Sequence, residues 1–361
     1  MPIFMDRHDL PESVNAEEVA RLHQEDLKIE HEFGCTGLTY WFDEHRNTAF
    51  CLIKAPNKEA IQHMHDRAHG AVPNRIIEVD PDIVESFLGR IEDPVKAQDT
   101  DLNIINDPAF RVILSVDFSP DLPVNDHDEW KQERMVLVGD MKEIIKSFNG
   151  SLVDGITPTL LASFSDVSNA LDSSVNLEAL WREHGSDTQG DISVGLSSGV
   201  PFETDEGLFE EAVNLSVWLA SMIKGSIVVS AEIKSLYESI RRNQFQWEDE
   251  VRVVSKRDEE FIKGFFGFLW ANWQNPKLSV NDFCSELAMS KSGLYRNVIQ
   301  LTGMSLVNII RKVRMKKALK LLQAGNSSIA EVAFDTGFNS PAYFTRCFHN
   351  TYGMLPSQIT N

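Results

Sequence analysis

The sequence contains no run of eighteen apolar residues, and its opening stretch, MPIFMDRHDL, has no basic segment leading into an apolar one. The first absence speaks against a membrane-spanning helix and the second against a secretory leader, so a cytoplasmic protein with no membrane partner is expected. Cysteine is scarce. Cys35, Cys51, Cys284 and Cys347 are scattered with no CxxC pair, which suits reduced thiols rather than a disulfide framework. Positive charge is also short: 34 Lys and Arg face 54 Asp and Glu, for a formal net charge of −20. What is present is ordinary, with 42% apolar and 24% charged residues over 361 positions. That is the composition of a globular chain long enough for two or three domains.

The acidity is unevenly spread. From Phe261 to Asn361 eleven Lys and Arg stand against four Asp and Glu, a balance of +7, which leaves −27 on the first 260 residues. Such asymmetry points to a nucleic-acid-binding tail on an acidic body, because phosphate attracts the one and repels the other.

The apolar spacing of residues 259–361 is helical throughout. Two short-helix pairs, LSVNDFCSELAMS with SKSGLYRNVIQLTG and SSIAEVAFDTGF with SPAYFTRCFHNTYG, flank a long helix, SLVNIIRKVRMKKALKLLQAG, that Gly325 closes. Each pair has a tight turn and a second helix opened by serine, the pattern of a helix-turn-helix. Leu294 and Val298 in the first unit, and Phe344 and Phe348 in the second, are four apart and face inward. Lys291, Ser292, Tyr295 and Arg296, and in the second unit Pro341, Ala342, Thr345 and Arg346, are then left outward, where a major groove would meet them. The run RKVRMKK, with Arg311 and Lys316, is placed to contact phosphates without reading bases. SGLYRNVIQLTGMSLVNIIRKVRMKKALKLL and SIAEVAFDTGFNSPAYFTRCFHNTYGMLPSQ resemble the DNA-binding domain of the AraC/XylS family of bacterial transcription regulators, over residues 259–359. The resemblance implies two reading helices on one linking helix, with Ser292, Tyr295, Arg296, Pro341, Ala342 and Arg346 as base readers on double-stranded DNA.

Between residues 109 and 254, strand-like FRVILSVDF and DISVGLSSG alternate with helical LFEEAVNLSVWLASM and AEIKSLYESI, which argues an α/β domain. ILSVDF, NGSLVDGITPTLLASF and LFEEAVNLSVWLAS resemble class III nucleotide cyclases. The resemblance assigns a metal-bearing carboxylate to Asp117 and keeps Asn214. It puts Pro158 at the second carboxylate, Asp154 at a base-recognition lysine and Trp218 at a transition-state arginine. Proline cannot ligate a metal through its side chain and tryptophan cannot neutralise phosphate, so a pseudo-cyclase without enzymatic activity is expected. Two roles remain open for it: binding a nucleotide or other small molecule without turnover, or providing a dimer interface.

Seven of the ten histidines fall at or before residue 69. The pattern there is strand (Ile3–His8), helix (Ala16–Phe33), strand (Leu38–Asp43), strand (Ala49–Ile53), helix (Lys58–Ala68) and strand (Arg75–Val79), a βαββαβ order that makes a ferredoxin-like sandwich. His65 and His69 are four apart on one helical face and can chelate one divalent ion. Imidazole suits zinc, copper, iron and nickel alike. His8 and Asp6 on the first strand, and Cys35 or Cys51, are further candidate ligands. Residues 1–80 resemble a small bacterial family of ferredoxin-like nickel-binding proteins, in the strands, the YWFDE hairpin and the helix around EAIQHMHDRAHG. That implies nickel, with zinc the alternative, and assigns no individual ligand.

The expected architecture is multidomain, α+β and all-α: a ferredoxin-like domain (1–80), an acidic linker (81–108), a cyclase-like α/β domain (109–254), a hinge near Ser255 and an all-helical double helix-turn-helix domain (259–361). It implies a sequence-specific transcription regulator acting as a homodimer, with a metal or small-molecule effector. The alternatives are an active nucleotide cyclase with a DNA-binding tail, and a metal-binding protein whose DNA-binding domain is vestigial.

Overall fold

The computed structural model describes residues 1–94, 102–119, 128–156, 160–184, 191–202, 207–223, 225–241 and 250–359. Pro158, on which the argument against cyclase activity partly rests, lies outside them. The chain divides into two compact units. One comprises Met1–Leu114, Ile145–Leu171 and Ser197–Asn214; the other comprises Ser115–Ile144, Asp172–Leu196 and Leu215–Asn361.

The first unit begins with β1 (Ile3–Asp9), α1 (Ala16–Ile29), a 3-10 turn at Glu30–Phe33, β2 (Thr36–Asp43), β3 (Thr48–Lys54), α2 (Lys58–Ala68) and β4 (Arg75–Val79). The four strands form a sheet in the order β2-β3-β1-β4, antiparallel at every junction. This is the arrangement that the βαββαβ pattern requires. Each helix begins where a side chain replaces a missing backbone partner: Asn15 accepts from Glu18 N, and Asn57 accepts from Ala60 N. Phe4, Tyr40, Phe42 and Ile53 of the sheet form a core with Ile61 and Met64 of α2.

Residues 81–108, expected as an interdomain linker, carry a helix, α3 (Pro81–Leu88), capped by Asp80 with proline in its first turn. Its Val84, Phe87 and Leu88 are buried. Beyond it, the Tyr40 hydroxyl donates to Asn103 O (2.6 Å) and accepts from Ile105 N (2.8 Å), so this segment is held against β2.

A six-stranded sheet follows the order β10-β9-β8-β5-β7-β6. Its strands, in chain order, are β5 (Arg111–Ser119), β6 (Ser151–Leu152), β7 (Leu160–Phe164), β8 (Asp191–Gly199), β9 (Ile227–Val229) and β10 (Val251–Val253). The intervening helices are α4 (Asp128–Ser147), α5 (Val167–His184), α6 (Glu210–Met222) and α7 (Ala231–Arg241). Within the second unit α6 lies directly on β8. A Cβ at Gly195 would stand 2.1 Å from Ser216 O and 2.5 Å from Ala220 N, so only glycine permits the approach.

The C-terminal part is all-helical: α8 (Lys256–Asn272), α9 (Val280–Glu286), α10 (Lys291–Thr302), α11 (Leu306–Ala324), α12 (Ile329–Asp335) and α13 (Pro341–Tyr352). The expected hinge near Ser255 is instead a helix cap. Ser255 accepts from Asp258 N, and Val254 beside it is buried. Trp218, Leu219 and Met222 of α6 share one apolar core with Phe265, Phe266 and Leu269 of α8 and with Ile309 and Val313 of α11. The ring of Trp218 stacks on Phe266 at 5.8 Å and meets Trp270 edge-on at 6.3 Å. Trp218, which the cyclase resemblance sets at an arginine position, is therefore a packing residue, which an apolar neighbourhood of this kind rewards.

Candidate metal centre and nucleic-acid interface

Strand alternation puts Phe4, Asp6 and His8 on the helix-facing side of β1, so a carboxylate and an imidazole enter an otherwise apolar layer. The register sets Asp6 opposite Cys51, and Cys51 N donates to Asp6 Oδ1 at 3.1 Å. From above, α1 supplies His23 and Asp26, and α2 supplies His65, with His69 as its C-terminal cap. His65 lies between two carboxylates. Its Nε2 is 2.8 Å from Asp6 Oδ2 and its Nδ1 is 3.1 Å from Asp26 Oδ1. His69 Nε2 stands 3.2 Å from the same Asp26 oxygen and 3.3 Å from His65 Nδ1. His8 Nε2 is 3.3 Å from Asp6 Oδ1.

The electrostatics follow from this layout. Burial alone would lower the His65 pKa, but Asp26 and Asp6 outweigh it and hold it up at about 10. Burial likewise works to raise Asp6 and Asp26. Their imidazole neighbours, His8 and His65 for Asp6 and His65 and His69 for Asp26, nevertheless hold both below the usual carboxylate range. Cys51 is pushed well up by burial and by the two carboxylates. His23 is pushed down by burial.

Two groups have ligand atoms close enough to surround one ion: Asp26, His65 and His69, and Asp6, His8 and Cys51. The first fits a cation on a separate observation. Asp26 Oδ1 is buried and accepts no hydrogen bond, although two ring nitrogens lie nearby. A buried carboxylate is costly to keep charged, and a cation between it and the converging imidazoles offsets that cost. These residues, with His8, His23 and Cys51, line a cavity of about 30 Å³, room for roughly one ion or water. His65 Nε2 on Asp6 is the outer carboxylate contact that fixes a metal-binding imidazole. His69 Nδ1 accepts from Ala71 N at 3.1 Å. Its proton is thus on Nε2, and must move before that nitrogen can ligate.

Of the six ligand candidates read from sequence, five meet here. Cys35 does not: its Sγ points to Phe33 O at 3.8 Å, and it belongs to neither group. The sequence reading missed Asp26 and His23. The available signal was their three-residue spacing on α1, which puts both on the buried face.

In the C-terminal region, Ser290 and Ser340 cap α10 and α13 through Gly293 N and Tyr343 N. Leu294, Val298, Phe344 and Phe348 are buried. Lys291, Ser292, Tyr295 and Arg296 on α10 are exposed, as are Ala342 and Arg346 on α13; Pro341 and Thr345 are half-buried. The Arg346 guanidinium lies over the Tyr343 ring at 5.2 Å, which holds a long cation in one direction.

Three cations of α11, Arg314, Lys312 and Lys316, have partners within the protein. Arg314 donates to Trp273 O and Asn275 O, both at 2.8 Å, and lies over Phe338. It thereby ties the end of α8 to the turn of the second helix pair. Gly337 in that turn has φ +78°, and a Cβ there would meet Gln274 O at 2.8 Å. Lys312 Nζ donates to Ser221 O at 2.7 Å, and Lys316 Nζ is 2.8 Å from Asp117 Oδ1. Asp117, the carboxylate that the cyclase resemblance gives to a metal, thus holds an ammonium.

With this geometry in hand, the relatives can be compared. Residues 4–79 match the family described as nickel responsive protein SCO4226-like, and residues 283–361 match a helix-turn-helix domain family. The N-terminal region is SCO4226-like, and the C-terminal region is a helix-turn-helix domain of the AraC type. Histidine kinase P4 of Formosa agariphila is 31% identical over 109 residues, 30% of this chain and 8% of that protein. The Msm operon regulatory protein of Streptococcus mutans is 37% identical over 82 residues, 23% of this chain and 30% of that one. The chain therefore spans less than a third of either relative. The solved structure of SCO4226 from Streptomyces coelicolor is 32% identical, covers 21% of this chain and 94% of its own, and gives a TM-score of 0.21. Among the described residues no helix is long and apolar enough to cross a membrane.

Proposed function

We propose that this chain is a sequence-specific, metal-responsive transcription regulator. The DNA-reading half of this proposal is supported by two serine-capped helices that bury one face and leave short polar groups and long cations, Lys291 and Arg296 on one and Arg346 on the other, on the outer face. Arg296 and Arg346 read bases, helped by Ser292, Tyr295, Pro341 and Ala342, while Lys291, Thr345 and Arg311 contact the backbone. The response half is supported by the buried Asp26–His65–His69 group, whose ligand atoms lie within 4.8 Å of one another and suit a divalent ion. Nitrogen and oxygen donors of this kind fit nickel or zinc. The middle region serves as a non-enzymatic platform and a site of self-association. Trp218, packed into the core beneath the DNA-binding helices, and Asp117, paired with Lys316, are unsuited to nucleotide chemistry.

Selection of a binding site from random duplex DNA, followed by affinity measurements with and without nickel, tests this reading. A preferred sequence whose affinity shifts with metal supports it. Equal binding to every sequence removes the reading role. Cyclic nucleotide formed from ATP or GTP with manganese would make the rival reading, an active cyclase, the better one.

A further inference from the structure

The two helix-turn-helix units have separate cores. Leu294 and Val298 of α10 share theirs with Val313 of α11, Phe266 of α8 and Trp218 of α6. Arg252 of β10 adds hydrogen bonds to Leu301 O (3.1 Å) and Gln300 O (3.3 Å) at the end of α10. Among the described residues, the second core draws its buried members from α11 to α13 and the segments joining and following them, with Met315, Phe338 and Phe344 among them. The change of core falls between Val313 and Met315, where Arg314 stands.

From that point Arg314 reaches both units. It donates to Trp273 O and Asn275 O, both at 2.8 Å. Trp273 is the C-terminal cap of α8, where the last carbonyls lack partners within the helix. The guanidinium also lies over the Phe338 ring at 5.8 Å, and Phe338 meets Phe344 of α13 edge-on at 5.4 Å. The turn of the second pair is pressed onto the same place. A Cβ at Gly337 would stand 2.8 Å from Gln274 O and 2.9 Å from Arg314 Cζ. One long helix shared by two cores fixes their separation along its axis, but helices of this length bend, so the tilt between the cores is set by contacts beside it. A planar fork with two donors fixes direction as well as distance, which a lone ammonium does not.

We propose that Arg314 is a positioning residue that sets the angle between α10 and α13, and so selects DNA sites whose two read segments lie a fixed number of base pairs apart. It touches no base. Its effect on specificity comes through the placement of the two helices, and rests on the proposed reading of DNA by both of them.

The test uses the full-length protein and its selected duplex, with the two segments assigned by Arg296→Ala and Arg346→Ala. One base pair is then added or removed between them, which moves the second segment by about 3.4 Å and turns it by about 35°. The unmodified protein is expected to bind the altered duplexes about tenfold or more weakly, the loss of a bidentate base contact. In Arg314→Met that ratio is expected to fall toward one. Arg314→Lys keeps the charge without the fork and is expected to behave likewise. A ratio in Arg314→Lys as large as in the unmodified protein would overturn the proposal, and decides the matter even if Arg314→Met does not fold. Spin labels on Gln300→Cys and Asn350→Cys, both exposed positions, read the distance between α10 and α13 without DNA, in a Cys284→Ser background that removes the half-buried thiol. The distance distribution is expected to broaden in Arg314→Lys, and equal widths would overturn the proposal. The two readouts separate the two failures. A protein with no two-segment site removes the DNA reading, while the label distances still decide the role of Arg314.

Discussion

The two ends of the molecule build their sites in opposite ways. The end proposed to read DNA assembles its candidate site from neighbours on single helices: Ser292, Tyr295 and Arg296 share α10, and Ala342 and Arg346 share α13, all exposed. The end proposed to hold a metal gathers Asp6, Cys51, Asp26 and His65 from four different elements, and buries all of them. Exposed local sites tolerate substitution and lose function without losing the fold. Buried sites collected across a sheet join function to stability, because every ligand is also a charge that must find a partner.

The sharpest way to break this contrast is His65→Ala. It removes the imidazole between two buried carboxylates, so the N-terminal region of the metal-free protein is expected to lose about 3–5 kcal/mol. Metal uptake is expected to vanish with it. Denaturant titration and calorimetry read the two effects, and a stable variant that still takes up metal would contradict the site.

Next in size is Asp6→Asn, which keeps the side-chain shape but removes the carboxylate holding His65 Nε2. Outer carboxylate contacts of this type typically change metal affinity by about 10- to 100-fold. An affinity equal to that of the unmodified protein would separate Asp6 from the metal group.

On the exposed side, Arg296→Ala and Arg346→Ala are each expected to cost about 1–3 kcal/mol on the selected sequence, with stability unchanged. Equal losses on random DNA would make these arginines phosphate contacts instead.

A further test of the buried end is in pH. His65 is near 10 in the folded protein and about 6.5 when unfolded. Its contribution is therefore complete below about pH 6.5 and fades as pH climbs toward 10. Asp6 and Asp26, lowered on folding, contribute above about pH 3.9 and fade as pH falls. Metal-free stability is expected to peak between those limits; a maximum above pH 8 would show that His65 is not held by its carboxylates.

The same contrast explains what could be read in advance. Helix periodicity and serine caps are local, so the outward faces of α10 and α13, the buried Phe344 and Phe348 and the closing Gly325 were legible along the chain. His65 and His69 were visible because four residues is one helical turn, and Asp6 with His8 because two residues is one strand repeat. Asp26 was missed. Its spacing from His23 marks a shared face of α1, but that this face meets His65 depends on how α1 rotates over the sheet, which no spacing on α1 alone determines. The partners of Lys312 and Lys316 were hidden for the same reason, since Ser221 and Asp117 lie 91 and 199 residues away. Trp218 illustrates a further point. Set against a cyclase it reads as a lost arginine, but its own packing on Phe266 and Trp270 gives the positive reason for tryptophan.

The central claim is that the buried N-terminal group takes up a metal and that this changes DNA binding. It is tested most directly by titrating the purified full-length protein with nickel, and separately with zinc, following metal uptake and affinity for the selected DNA site in the same samples. The account predicts saturable uptake that disappears in His65→Ala, together with a shift in DNA affinity over the same metal range. Uptake with no change in DNA affinity, or no uptake at all, would contradict it.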